Sequence, residues 1–112
     1  MEDLTGLENI LGVHFKDRKL LQSALTHRSY LNEHPEFSQE YREHNERLEF
    51  LGDAVLELLV SEHLYNNFQK PEGEMTNLRA ALVNSEALSK IAKSLKIEDY
   101  LLLSKGEKKD VG

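Results

Sequence analysis

Apolar residues in this chain recur at three- and four-residue intervals almost throughout, the spacing of one face of an α-helix, and strand-like alternation is nearly absent. Leu7, Ile10 and Leu11 form a short first stripe that stops at Gly12, and the preceding Thr5-x-x-Glu8 has the spacing of a capping box. Leu20, Leu21 and Ala24 predict a second helix that Asp17 can cap, with His27 and Arg28 near its C-terminal end. Residues 31–42, with Pro35 and several polar side chains, read as a loop or a ragged helix start. A long helix follows over roughly Asn45 to Phe68. Pro71-Glu72-Gly73 marks a turn. Beyond it, Leu78, Ala81 and Leu82, then Leu88, Ile91, Ala92 and Leu95, predict two further amphipathic helices. Tyr100 to Leu103 is a brief apolar run, and Ser104 to Gly112 is a charged tail without periodicity. The pattern predicts an all-α fold.

The long helix has two working faces. At about 100° per residue, Glu46, Glu49, Asp53 and Glu57 share one narrow stripe. Roughly opposite lie Leu48, Leu51, Val55, Leu58 and Leu59, which would fix the helix in a core and leave the acids facing outward or into a cleft. Acids at i,i+3 and i,i+4 repel by about 0.2–0.5 kcal/mol per pair on an exposed helix. The inner ones have no Lys or Arg one turn ahead, so a divalent cation is the simplest relief. Gly52, inside the helix, costs about 1 kcal/mol relative to alanine, which is either a tolerated glycine or the mark of a backbone or ligand approaching closely.

Composition narrows the chemistry. With 112 residues, 39% of them apolar, the chain can form one small domain. No apolar run approaches the ~20 residues of a membrane span. The start, Met1-Glu2-Asp3-Leu4, lacks the basic flank and apolar segment of a secretory signal, so the expected setting is cytoplasmic. The absence of cysteine excludes disulfides and thiolate metal sites, leaving carboxylates, His or backbone oxygen, a donor set that favours Mg²⁺ or Mn²⁺. A formal charge of −6 argues against a dedicated nucleic-acid clamp, although an acidic domain can cut nucleic acid if metal ions supply positive charge at the phosphate. The five histidines show no metal-binding spacing, and there is no glycine-rich phosphate loop, which removes zinc-protease, di-iron and nucleotide-hydrolase readings. His27 is either an acid–base group or a structural residue at a helix end.

Asn45-Glu46-Arg47-Leu48-Glu49-Phe50-Leu51-Gly52-Asp53-Ala54-Val55-Leu56-Glu57 resembles the signature of the ribonuclease III family, metal-dependent endonucleases that cut double-stranded RNA. The resemblance extends through Phe15-Lys16-Asp17, Leu20-Leu21 and Ala24-Leu25-Thr26-His27-Arg28-Ser29, and onward through Glu72-Gly73-Glu74-Met75, Leu78-Arg79-Ala80 and Lys105-Gly106-Glu107. It implies that residues 1–112 correspond to the first two-thirds or so of that family's catalytic domain. By the same resemblance Glu49 and Asp53 are metal ligands that help position a water for attack on a phosphodiester, and Glu46 and Glu72 are acids near the RNA that assist cleavage. Mg²⁺ is the implied ion, with Mn²⁺ the alternative.

Phe50 can be read in two ways. An aromatic on the flank of an apolar helix ordinarily belongs to the core, but Phe50 lies about 40° from Glu46 on the acid side, where a small monomer buries it with difficulty. In the resembled family the matching aromatic plugs a socket on a partner subunit, which implies an isologous homodimer.

The sequence also departs from the family pattern. A second acidic motif, Asp-x-x-Glu on a later helix, has no counterpart: Asp110 has no Glu three residues on. The double-stranded RNA-binding domain that commonly follows is also not in this sequence. Two alternatives to an endoribonuclease stay open, a non-catalytic dimerisation or RNA-associated module and a helical domain with a solvated acid face.

Overall fold

The computed structural model describes residues 4–38 and 43–110. The acidic start Met1–Asp3, the end of the 31–42 segment and the last two tail residues lie outside it. The elements are α1 (Thr5–Leu11), α2 (Arg18–Ala24), α3 (Arg28–Glu33), α4 (Pro35–Ser38), α5 (Glu46–Asn67), α6 (Glu72–Leu82), α7 (Ser85–Ser94), a 3₁₀ turn (Ile97–Tyr100) and α8 (Lys105–Asp110). Among the described residues there is no strand, only a parallel bridge between Thr26 and Leu102. No helix among them is long and apolar enough to cross a membrane.

Local chemistry explains most boundaries. Gly12 ends α1 in the left-handed region at φ 72°, its amide returning to the Glu8 carbonyl. The Asp17 carboxylate caps α2 by accepting the amides of Lys19 and Leu20, as its position predicts. The long helix runs from an Asn45 cap to a Phe68 cap, within one residue of the expected span. Pro71 precedes the first turn of α6, so Glu72 and Gly73 open that helix and do not lie in a turn. Asn84 caps α7 through the Ala87 amide.

Four expectations need correction. Thr5 and Glu8 do not form a capping box: Leu4 holds the cap position with no side-chain bond. Glu8 is instead 5% exposed, accepting the Phe15 amide at 2.7 Å and the Arg18 guanidinium at 2.5 Å, a charge-assisted set stronger than a bond to one terminal amide. His27 and Arg28 do not close α2. His27 caps α3 by accepting the Ser29 amide, and Arg28 is the first residue of that helix. The described part of the 31–42 segment is helical, in α3 and α4. The tail is helical over Lys105–Asp110, because Ser104 Oγ accepts the Glu107 amide at 3.2 Å and Glu33 accepts the Lys105 amide at 3.1 Å, an anchoring that no periodicity encodes.

The core does not sit where the leucine stripe places it. Leu4, Leu7, Leu21 and Leu25 form it, with Leu11, Phe15, Ile97, Tyr100 and Leu101 packed around them. Gly6 admits Tyr100: a Cβ there would lie 2.5 Å from the Tyr100 hydroxyl oxygen. By contrast α5 buries only Leu64. Leu48 is half-buried, while Leu51, Val55, Leu58 and Leu59 are exposed, Leu58 by 66%. Among the described residues no element covers that face. The radius of gyration, 16.4 Å, accordingly exceeds the roughly 13 Å of a close-packed chain of this length.

Candidate functional site

The N-terminal half of α5 is fixed to the turn between α2 and α3. The Asn45 amide donates to the Thr26 carbonyl at 2.8 Å, and its side-chain amide donates to the Ala24 carbonyl at 3.2 Å. Thr26 itself is fully buried, its hydroxyl donating to the Gln22 carbonyl at 2.6 Å. Leu102 then pairs beside it, accepting the His27 amide and donating to the Leu25 carbonyl. The segment Leu25–Ser29 is thus a junction for α2, α3, α5 and the C-terminal run.

This junction opens onto a cavity of about 870 Å³. Glu46, Glu49 and Asp53 line it from α5, together with Phe50, Gly52 and Leu56; Leu88 comes from α7, His27 and Arg28 from the junction, and His44 and Asn45 from the residues just before α5. Three of the four acids singled out by spacing therefore line one cavity. Glu57, one turn further along, is drawn aside by Arg79 of α6, whose Nε lies 3.1 Å from its carboxylate while Nη1 donates to Ser61. The first acid has a nearby base as well: His44 Nε2 lies 4.0 Å from the Glu46 carboxylate, and His44 Nδ1 accepts the Glu46 amide.

Glu72 does not join them. It lines a separate recess of about 1040 Å³ with Leu64, Tyr65, Phe68, Met75 and Arg79, at the far end of α5 where α6 turns back. Asp53 and the end of the helix are fourteen residues, or about 21 Å, apart. No neighbouring backbone makes the close approach at Gly52 among the described residues, since a Cβ there would meet nothing within 4 Å. Phe50 lies 83% exposed beside the acids, outside any core of this chain.

Glu49 and Asp53 are carboxylates one turn apart, a donor type that suits a hard cation retaining several waters. Among the described residues no group of three or more His, Asp or Glu is placed to hold a metal. What the described residues offer such a cation is two carboxylates one turn apart on α5, not a closed cage.

Sequence reading missed the basic members of the cavity. Spacing points to His27 alone as a candidate, and at the end of α2 where the structure has it cap α3. The available signal was the polar run Thr26-His27-Arg28-Ser29 between two apolar stripes, a composition that marks a junction where side chains face a neighbour or a ligand.

Comparison with known proteins agrees with this fold. The model of a family described as Ribonuclease-III-like matches residues 17–112. The chain is 52% identical over 112 residues to Ribonuclease 3 of Carboxydothermus hydrogenoformans, covering 99% of this chain and 46% of that protein. It is 48% identical over 109 residues to Ribonuclease 3 of Streptococcus pneumoniae, covering 96% and 46%. It thus spans a little under half the length of these relatives. A crystal structure of the nuclease domain of ribonuclease III from Campylobacter jejuni superposes with a TM-score of 0.81 at 44% identity, covering 98% of this chain and 69% of that one. A second structure of that domain, described as showing flexibility in a region involved in dimer formation, superposes equally well over 96% and 70%. With the helical fold, the signature helix and these matches in agreement, the chain belongs to the ribonuclease-III-like family.

Proposed function

We propose that this chain supplies part of the active site of a metal-dependent endoribonuclease that hydrolyses phosphodiester bonds of double-stranded RNA. The observation that carries this reading is the convergence of Glu46, Glu49 and Asp53 on one open cavity that also receives His27 and Arg28. Glu49 and Asp53 hold the cation, Mg²⁺ or Mn²⁺, and Glu46 lines the same cavity about one turn before Glu49. When bound, the ion makes a water more acidic and neutralises charge building on the phosphate. The helix backbone holds the two carboxylates at a fixed separation, and Asn45 orients that helix against the junction carrying His27 and Arg28.

The active species in this reading is a homodimer. Phe50 is large, apolar, exposed and next to Glu49, a position suited to an isologous contact that also brings two acid cavities into a fixed relation. Glu72, at the start of α6 beside the far end of α5, lies in a different recess from the acid cavity of its own chain, so any part it takes in cleavage is at a second site or on a second chain. A non-catalytic module of the same fold is the competing reading, favoured by the lack of a third metal-holding group among the described residues.

Cleavage of an end-labelled perfect RNA duplex, with and without Mg²⁺, separates the two. The chain is assayed alone and extended by a C-terminal segment carrying an Asp-x-x-Glu pair, with Asp53→Asn as the control. Metal-dependent cutting lost in the variant supports the proposal. No cutting by either chain leaves the non-catalytic module.

A further inference from the structure

Three acids in the cavity call for a cation, and an RNA phosphate drawn there needs donors of its own. The acids come from α5, whereas His27 and Arg28 come from the junction. Among the described residues Arg28 forms no ion pair.

The His27 ring is held in a defined state. Its Nδ1 accepts the Ser29 amide at 3.1 Å and lies 2.7 Å from Ser29 Oγ. That hydroxyl oxygen accepts the Ser104 amide at 2.9 Å, from 75 residues away, which leaves its own proton to donate to Nδ1. An imidazole nitrogen that accepts two donors is the unprotonated one, so in the neutral ring the proton sits on Nε2. Nε2 has no partner among the described residues, and His27 is one of the residues lining the acid cavity. The fold thus uses two side chains and a long-range backbone contact to present one N–H that nothing among the described residues takes up.

We propose that His27 Nε2–H donates to a non-bridging phosphate oxygen of the RNA strand lying in this cavity, and that Ser29, held by Ser104, is the positioning residue that fixes the tautomer. The inference rests on the endoribonuclease reading and deepens it. It assigns His27 to substrate binding, with Arg28 beside it as a point of positive charge on the same strand.

The test is long-range ¹H–¹⁵N spectroscopy of the ¹⁵N-labelled chain above neutral pH, with the His27 signals assigned through His27→Gln. A short perfect RNA duplex is then added with Ca²⁺ in place of Mg²⁺. The free chain should show the Nε2–H tautomer, and Ser29→Ala should shift it towards a mixture. The duplex should move the His27 Nε2 signal. His27→Phe, which removes the donor, should weaken duplex binding about tenfold, while His27→Gln, which keeps a side-chain N–H, should retain most of it. An Nδ1–H tautomer in the free chain overturns the proposal. So does a duplex that moves the Glu49 and Asp53 amides but leaves His27 Nε2 unchanged, and in that case the endoribonuclease reading still stands. A duplex that moves neither overturns both.

Discussion

The backbone amide of Asn45 donates to the carbonyl of Thr26 at 2.8 Å, joining the cap of the acid-bearing helix to a fully buried residue of the α2–α3 junction. Through this pair, residues nineteen apart in sequence set where three carboxylates face a histidine and an arginine. Thr26→Val keeps the shape of the side chain but removes one of two donors from the Gln22 carbonyl, which still accepts the Leu25 amide at 3.2 Å. Urea unfolding should show a loss of about 1 kcal/mol, and Asn45→Ala a similar or smaller one.

Glu8 is the buried charge of the core region, satisfied by Arg18 and the Phe15 amide, with His14 3.3 Å away. Glu8→Ala leaves the Phe15 amide and the guanidinium without that acceptor and should cost roughly 1–3 kcal/mol in denaturant unfolding. A neutral outcome would mean that water replaces the carboxylate.

Two glycine-to-alanine changes should have opposite signs. At Gly6 the new methyl meets the Tyr100 hydroxyl, so the variant should lose about 1–3 kcal/mol through overpacking. At Gly52 it meets nothing in this chain and gains helix propensity, so the variant should gain about 1 kcal/mol. Loss of stability at Gly52 would indicate a second copy packed against that surface.

Asp53→Asn removes repulsion with Glu49 and with Glu57. Without metal the variant should melt slightly higher, by about 0.2–0.5 kcal/mol for each relieved pair. Mg²⁺ at ten times its dissociation constant should stabilise the parent chain by about 1.4 kcal/mol and the variant by much less. Melting curves with and without Mg²⁺ check both signs, and an equal Mg²⁺ effect on both proteins would remove Asp53 from the ligand set.

Phe50→Ala deletes a side chain that no part of this chain buries, so the stability of the isolated monomer should change by less than about 0.5 kcal/mol. Association should weaken markedly in sedimentation velocity. Leu51, Val55, Leu58 and Leu59 form a second exposed apolar face, and self-association that survives Phe50→Ala would point to that face.

The sequence alone determined what the pitch of a helix determines. The limits of α5, the cap at Asp17, α6, α7 and the stripe Glu46–Glu49–Asp53 depend on interactions within a few residues, and the structure agrees with each of them. Tertiary structure decided everything that depends on which elements meet. Only folding shows that Glu8 serves Arg18, that Tyr100 closes over Gly6, that Ser104 starts a helix against α3, and that Glu72 lies in a different recess from the other acids. It also placed the core under α1 and α2, leaving most of the leucine stripe of α5 exposed. Periodicity states which side of a helix is apolar, but what covers that side is settled by contacts far apart in sequence, and among the described residues most of this stripe finds none.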